Sequence, residues 1–254
     1  MNTVISGSFG GQADPAAADS PQKAERAPGR APWTFRGIPV PYITAWSGEE
    51  RPLDESDKAV LRTGPRVAPR LVYFDELPAD RDRHGILWRR VTSAPGQGRP
   101  LFASVHALRH RRVMSRGQCQ ICTAPAQVWM AAAGAWQAHL EKLGPDAPYL
   151  AADPPVCRAC AATAAVRCPR LASEGHVFLA PRRWANIAVR GQVVDLASGD
   201  LGDLRLVPLP GAITTFERAE IALTVAHALY SGLFEVTAHT EVDEVAGLGV
   251  RLDR

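Results

Sequence analysis

Two Cys-x-x-Cys pairs constrain this chain more than any other feature of its sequence. The pairs are Cys119–Cys122 and Cys157–Cys160, and 34 residues separate them. A tetrahedral zinc ion takes four thiolates, and two residues between cysteines allow each pair to bind one ion from a single tight turn. The sequence therefore predicts one structural Zn²⁺ site with these four cysteines as its ligands.

Other uses of paired cysteines fit less well. A redox dithiol needs only one pair, and neither pair follows a clear βαβ strand. A catalytic zinc keeps an open position and often uses His or Glu, whereas sites of four cysteines are usually closed. Zinc deaminases place Pro directly before Cys-x-x-Cys and a Glu upstream. Here Val156 separates Pro155 from Cys157, and no such Glu precedes them.

A nuclease of the His-metal-finger type is the enzyme alternative at this site. Some of these enzymes brace their catalytic unit with two Cys-x-x-Cys pairs and carry a general-base His between them. In this chain His139 lies between the pairs, with Glu141 and Asp146 nearby, but the expected Asp-His or His-His pair is missing. We interpret the fifth cysteine, Cys168, as a core residue; its alternatives are a replacement ligand and a nucleophile.

Composition predicts a globular protein without a membrane span. Hydrophobic residues make up 46% of the 254 residues and charged residues 22%, and no run of about 18 apolar residues occurs. The N-terminal residues lack the basic start and apolar block of a secretory signal. Closely paired cysteines fit metal binding in a reducing compartment better than a disulfide framework. We therefore expect a cytoplasmic protein with no membrane partner.

Charge is distributed unevenly around a net value of +3. Residues 81–116 carry nine Arg and one Asp, whereas residues 192–254 carry four Arg and ten acids. The clustering of Arg, rather than its abundance, indicates a surface for phosphate.

The chain divides into four predicted segments. Residues 1–32 lack apolar periodicity and predict a disordered tail. Residues 33–116 predict a hairpin of strands 70–75 and 86–91, followed by a helix over 101–116. Residues 117–170 hold the zinc module, and residues 171–254 are β-rich.

Within the last segment, the pattern predicts strands over 176–180, 184–189 and 192–196, with Arg190-Gly191 as a tight turn. The clearest predicted helix of the chain spans residues 216–233. Thr214 or Thr215 can cap it, and acidic residues favour its positive end.

Residues 115–170 resemble a treble-clef zinc module, in which a knuckle carries one pair, a hairpin follows, and a helix carries the second pair in its first turn. Pro154-Pro155 precede the second pair, and residues 156–167 predict that helix. More narrowly, Cys119-Gln-Ile-Cys122, Pro154-Pro-Val-Cys-Arg-Ala-Cys160 and Val166-Arg-Cys-Pro-Arg-Leu171 resemble a group of zinc-knuckle proteins from GC-rich bacteria. The resemblance implies a structural module and no particular activity.

Basic residues that lead into the first pair are the candidate nucleic-acid contacts. They are Arg109, Arg111, Arg112 and Arg116, and on a helix they spread over a wide arc that can meet several phosphates. The alternative is a solvated helix face in an Arg-rich chain. Arg116 and Arg158 also lie beside the cysteines, where they can offset the charge of a zinc–thiolate centre.

Three weaker clusters have plain structural explanations as well. They are the patch of Arg182, Arg183, Trp184 and Arg190; the turn residues Asp75, Glu76, Asp80, Asp82 and His84; and His239 with Glu241 on one strand face. His227 is expected to be a core or interface residue.

Together these patterns predict an α+β fold, with a small treble-clef-like zinc module of four cysteines between β-rich segments and one long C-terminal helix. The first functional hypothesis is a zinc-stabilised nucleic-acid-associated protein that binds phosphate through the Arg-rich helix. The alternatives are a protein–protein adaptor, which binds a partner through its acidic C-terminal region and aromatics, and an enzyme with a structural zinc and an active site elsewhere.

Overall fold

The computed structural model describes residues 32–49, 59–64, 67–126, 128–194, 206–207, 213–245 and 250–251. Helices and strands are mixed in these ranges, which confirms the predicted α+β class. The tail predicted for residues 1–32 lies outside them except at residue 32. None of the helices described has the length and apolar character needed to cross a bilayer.

Fourteen strands and four α-helices lie within the described ranges. The strands are β1 (Trp33–Phe35), β2 (Ile38–Val40), β3 (Thr44–Trp46), β4 (Ala59–Gly64), β5 (Val67–Tyr73), β6 (Leu87–Trp88), β7 (Pro100–Val105), β8 (Trp129–Ala132), β9 (Tyr149–Ala151), β10 (His176–Val194), β11 (Leu206–Val207), β12 (Ile213–Thr215), β13 (Thr224–His239) and β14 (Val250–Arg251). The helices are α1 (Ala107–Arg116), α2 (Ala133–Leu143), α3 (Arg158–Arg167) and α4 (Pro169–Glu174).

One sheet of eight strands organises the described part of the chain. Its two long strands, β10 and β13, pair antiparallel over most of their length. The other edge of β10 is divided among β8, β11, β12 and β14. The other edge of β13 pairs with β9 and, in parallel, with β6. The strands that lie between the two cysteine pairs, β8 and β9, are therefore attached to the C-terminal strands.

The prediction of a long helix over residues 216–233 is wrong. The chain forms a 3₁₀ turn at Ala219–Leu223 and then enters β13. The capping signals before it are local, whereas β13 gains its main partner, β10, from a distant segment. Most of residues 224–233 in β13 are buried, including Val225, Leu229 and Leu233. Such a nearly continuous buried run is typical of strands that are covered on both faces. Nonlocal pairing and burial outweigh a weak local preference for helix.

The tight turn predicted at Arg190-Gly191 is also wrong, because the three predicted strands of this region join into the single strand β10. The register against β13 shifts at Arg190 and Gly191, which marks a β-bulge. A Cβ on Gly191 would collide with the Val225 carbonyl. Glycine thus permits the close approach of the two backbones at the bulge.

The helix predicted over residues 101–116 is only partly correct. Residues 100–105 form β7, and α1 begins at Ala107 with His106 as its cap, since His106 Nδ1 accepts the Arg109 N–H at 3.3 Å. Gly117 ends the helix in the left-handed conformation, with φ of 61°. A Cβ there would lie 2.8 Å from Trp184 Cζ2. The left-handed backbone conformation and the lack of room for a side chain therefore both favour glycine.

The hairpin predicted from strands 70–75 and 86–91 does not form. β5 pairs with β4, and β6 pairs with β13 instead. Ile86, Leu87 and Trp88 are all buried, so this segment belongs to the central sheet rather than to a surface hairpin.

Three buried or half-buried histidines have lowered pKa values in the folded chain. His106 Nε2 donates to the Thr92 carbonyl at 3.0 Å, and His110 Nε2 donates to the Ala152 carbonyl at 2.9 Å. Burial lowers the pKa of both, and it also lowers the pKa of His227 on β13, which Arg89 and Arg190 depress further. Protonation of these rings therefore favours the unfolded chain.

We expect the free energy of unfolding to fall as the pH is lowered through 6.5. The folded pKa values lie below the ordinary value, so the stability is present above pH 6.5 and is lost as the pH falls toward the folded pKa. Each histidine contributes a slope of at most about 1.4 kcal/mol per pH unit. Urea unfolding at several pH values, with metal content followed in parallel, measures the slope. His110→Gln should reduce the slope, and a flat profile would contradict the assignment.

Candidate metal centre

The four predicted cysteines converge in the structure. The sulfur atoms of Cys119, Cys122, Cys157 and Cys160 all lie within 4.8 Å of one another, and Cys122 Sγ and Cys157 Sγ are 3.7 Å apart. Four sulfurs at about 2.3 Å from a tetrahedral zinc ion are separated by about 3.8 Å. The residues therefore fit one metal ion, and the predicted convergence of the two pairs is confirmed.

The first pair lies on a tight knuckle directly after α1. The Cys119 N–H donates to the Ala124 carbonyl at 2.7 Å, and the Thr123 N–H donates to the Cys119 carbonyl at 2.9 Å. Thr123 has a φ of 64°, which reverses the chain after the second ligand. This left-handed conformation is strained for a β-branched residue, and the surrounding hydrogen bonds hold it in place.

Backbone N–H groups point at the sulfur atoms. Ile121 N lies 3.4 Å from Cys119 Sγ, and Cys122 and Ala124 supply further N–H groups to the sulfurs of Cys119 and Cys122, respectively. Such donors stabilise thiolates, which are the form of cysteine that binds metal. The knuckle therefore prepares its two sulfurs for a cation.

The side chains of Cys119 and Cys160 are hydrogen-bonded to each other. The Cys160 thiol donates to the Cys119 sulfur, which lowers the pKa of Cys119 well below its usual range and raises that of Cys160. Burial raises the pKa of Cys122. A metal ion must displace these protons, so its affinity for the site falls in acid.

The second pair lies at the positive end of α3. Cys157 is the residue before the helix, and its carbonyl accepts the Ala161 N–H at 2.8 Å. Cys160 therefore lies in the first turn, as the sequence predicted. The helix dipole stabilises the negative charge that four thiolates leave around a divalent ion.

Apolar residues enclose the cysteine group. Val128, Val156, Phe178 and Val245 are buried against it. Among the described residues the metal-binding group contains neither His nor a carboxylate. A closed shell of four sulfurs without an open position is the arrangement of a structural site rather than a catalytic one. Cys168 lies outside the group and is half-buried at the junction of α3 and α4.

The knuckle also forms hydrogen bonds with two other segments of the chain. The carbonyls of Gln120 and Ile121 accept the N–H groups of Ile43 and Tyr42, at 3.3 and 3.2 Å. The Gln120 N–H donates to the Pro155 carbonyl at 3.0 Å, and its side-chain amide donates to the Pro154 carbonyl at 3.1 Å. Residues 42–43 and the approach to the second pair are therefore positioned by the same turn that carries the first cysteine pair.

The segment between the two pairs consists of β8, α2 and β9. β8 pairs with β10 and β9 pairs with β13, so these two strands do not form a hairpin with each other. The treble-clef resemblance implied a hairpin between the two pairs, and the structure has a strand–helix–strand unit there instead.

Arg109, the first of the four candidate phosphate-binding residues, is buried and belongs to an internal ion pair. Its Nη1 lies 2.5 Å from Glu49 Oε1, and its Nη2 donates to Glu49 Oε2 at 2.8 Å and to the Thr44 carbonyl at 2.7 Å. The side chain is 4% exposed. The structure therefore removes Arg109 from the candidate phosphate surface.

The other three candidates lie progressively closer to solvent. Arg111 is half-buried, with its guanidinium 4.8 Å from the centre of the Trp88 ring. Arg112 is half-buried and Arg116 is exposed. Burial lowers the pKa of Arg112, and the neighbouring positive charge of Arg116 lowers it further. Arg112 and Arg116 thus form a positive pair one turn apart at the end of α1.

Three of the four acids of the predicted turn pair with arginines, and the fourth accepts a tryptophan indole and backbone N–H groups, so they do not gather as a site. Arg90 Nη2 lies 2.6 Å from Asp80, and its Nη1 lies 2.8 Å from Asp75. Arg81 Nε lies 2.8 Å from Glu76. Asp82 accepts the Trp88 indole N–H and the N–H groups of His84 and Ile86.

The remaining candidates also have structural partners. Trp184 is buried, Arg182 and Arg183 pair with Glu235, and Arg190 lies over the Tyr230 ring. His139 stacks on Trp136 and donates to the Ala147 carbonyl. His239 Nδ1 lies 3.8 Å from Glu244, while Glu241 precedes the last 3₁₀ turn.

Sequence reasoning missed Glu49 and Trp88. Glu49 lies in an acidic stretch that looks like solvated surface, and no local signal joins it to an arginine sixty positions later. Trp88 stands next to two arginines in the sequence, but its contact is with Arg111 on α1.

Comparison with protein-family models, with curated proteins and with solved structures finds no match for this chain.

Proposed function

We propose that this chain is a cytoplasmic, zinc-stabilised protein that binds nucleic-acid phosphate through Arg112 and Arg116 on α1. Zinc is the metal proposed because four converging cysteine sulfurs suit it best. We further propose that residues 117–170 are a divergent treble clef, with a strand–helix–strand unit in place of the hairpin.

The observation that carries the proposal is the direct connection between α1 and the knuckle. Gln118 N donates to the Val113 carbonyl at 2.9 Å, and Ala126 N donates to the Gly117 carbonyl at 2.9 Å. The helix end that bears Arg112 and Arg116 is thus continuous with the metal-binding turn. A helix end whose backbone is already fixed loses little further backbone entropy when its two arginines meet phosphates.

Salt-dependent binding of a labelled oligonucleotide tests the proposal. We expect the affinity to fall steeply between about 50 and 200 mM salt. The double variant Arg112→Ala, Arg116→Ala should flatten the plot of log affinity against log salt by about 1.4 on a single strand and about 1.8 on a duplex, the values for two lost phosphate contacts.

The matched control is Arg182→Ala, Arg183→Ala, which removes the same charge from arginines that pair with Glu235. It should leave the salt slope near that of the parent chain. Equal effects of the two double variants would show that binding follows overall charge and not the end of α1.

A protein–protein adaptor is the second candidate, and exposed apolar side chains favour it. Phe74 is 93% exposed, and Phe102 and Val105 on β7 are more than half exposed. Such side chains are typical of surfaces that bind another protein. An adaptor predicts a complex that is insensitive to the Arg112 and Arg116 substitutions and weakened by Phe102→Ser.

A further inference from the structure

The two cysteine pairs differ in their access to solvent. Cys119 and Cys122 on the knuckle are buried, at 0% and 9% exposed, whereas Cys157 and Cys160 at the start of α3 are half-buried. A small neutral oxidant such as hydrogen peroxide therefore reaches the second pair first. Susceptibility of a cysteine to oxidation increases with its exposure.

Two contacts join the sulfur atoms across the pairs. Cys122 Sγ lies 3.7 Å from Cys157 Sγ, and the side chains of Cys119 and Cys160 are hydrogen-bonded to each other. Because a disulfide joins its sulfurs at about 2.05 Å, Cys122 and Cys157 need to approach by about 1.7 Å. An accessible cysteine with a second cysteine beside it is the arrangement of redox-sensing sites.

Hydrogen bonds without sulfur hold the same two segments together. The Gln120 N–H donates to the Pro155 carbonyl at 3.0 Å, and the Gln120 side-chain amide donates to the Pro154 carbonyl at 3.1 Å. Gln120 lies two residues before Cys122, and Pro155 lies two residues before Cys157. The proximity of these two sulfurs therefore does not depend on an ion between them.

We infer that Cys157 is a site of oxidation by hydrogen peroxide and that Cys122 is its resolving partner, so that one disulfide forms across the two pairs. The Cys157 thiolate attacks one oxygen of the peroxide, the O–O bond breaks, and Cys157 becomes a sulfenic acid as hydroxide leaves. The Cys122 thiolate then attacks the sulfenic sulfur, the S–S bond forms, and a second hydroxide leaves. Two electrons pass from the two sulfurs to one peroxide.

The disulfide removes two of the four sulfurs from metal binding, so oxidation should release the ion. This consequence rests on the zinc of the proposed function, whereas formation of the disulfide does not. The new bond closes a loop through the 34 residues between Cys122 and Cys157. It therefore keeps the knuckle linked to α3 after the ion has left.

Tryptic digestion separates this disulfide from its rivals. Cleavage after lysine and arginine leaves both knuckle cysteines on one peptide and each of the other three cysteines on a peptide of its own. The four peptides are 117–142 with Cys119 and Cys122, 143–158 with Cys157, 159–167 with Cys160, and 168–170 with Cys168.

The experiment treats the full reduced chain with a small molar excess of hydrogen peroxide, blocks the remaining thiols and maps the peptides by mass spectrometry. We expect the first disulfide to join the peptides 117–142 and 143–158, with Cys119 and Cys160 blocked. Metal measured before and after the treatment should fall in step with the disulfide.

The inference is overturned if the first disulfide joins Cys157 to Cys160 or Cys119 to Cys122, or if peroxide leaves these four thiols free. A chain that contains no metal but forms the disulfide between Cys122 and Cys157 would remove only the zinc of the proposed function. A chain that contains metal and keeps all four thiols would remove only this inference.

Two variants check the roles of the two sulfurs. Cys168→Ser is the matched control and should form the disulfide at the parent rate, since Cys168 lies outside the group. Cys122→Ser should form no link between the two peptides and should leave Cys157 as a sulfenic acid that dimedone labels. Because this variant also lacks a metal ligand, its reference is the parent chain freed of metal by a chelator. A link of parent yield in Cys122→Ser would contradict the pairing.

Discussion

Replacement of Cys119 by serine should abolish stoichiometric metal binding and lower the free energy of unfolding by at least about 4 kcal/mol. Cys119 is completely buried, receives N–H groups from the knuckle, and accepts the Cys160 thiol. A serine hydroxyl is a poor ligand for zinc and leaves three sulfurs around an incomplete site. The turn that hydrogen-bonds to residues 42–43 and 154–155 is then no longer stabilised by a bound metal ion.

Metal analysis by mass spectrometry and urea unfolding measure the two effects separately. The matched control is Cys168→Ser, which makes the same chemical change outside the metal-binding group. It should retain one metal ion and nearly the parent stability. A full equivalent of metal in the Cys119→Ser protein, or its loss from Cys168→Ser, would contradict the four-sulfur site. The same analysis identifies the metal, since four thiolates also bind iron.

The second large effect is expected at the buried ion pair between Glu49 and Arg109. Each side chain is 4% exposed, and Glu49 also accepts the N–H groups of Trp46 and Ala94, at 2.8 and 2.9 Å. Burial raises the pKa of Glu49, but the hydrogen bond and charge of Arg109 outweigh it and hold the pKa below its usual value. The carboxylate is therefore ionised in the fold at neutral pH.

Glu49→Ala or Arg109→Met should each lower the free energy of unfolding by about 3–5 kcal/mol, because each leaves a buried charge without its partner. The double variant Glu49→Leu, Arg109→Met should recover much of that loss, since no unpaired charge remains. Removal of the exposed pair Arg182–Glu235 is the control and should change stability by at most about 1 kcal/mol. Strictly additive single losses in the double variant would show that the two side chains do not stabilise each other.

The parts of the fold that were predictable from sequence are those set by local chemistry. The spacing of the cysteines and the prolines before Cys157 were sufficient to predict the knuckle, the start of α3 and the meeting of the two pairs.

The parts that failed depend on distant partners. Residues 224–233 carry helix-compatible local signals, and only their pairing with β10 makes them a strand. Arg109 looked like a surface residue because Glu49, which buries it, lies sixty positions away. Arg111 was assigned to a phosphate surface, whereas its position on Trp88 places it in a pocket that no sequence motif marks.

The hydrogen bonds between the knuckle and residues 42–43 have a consequence for the growing chain on the ribosome. Cys157 and Cys160, which complete the group of four sulfurs, are translated long after residues 42–43. We therefore expect stable docking of residues 42–43 on the knuckle only after both cysteine pairs have been made. On the proposal that the four sulfurs bind an ion, supplying zinc during cell-free synthesis should raise the yield of folded protein.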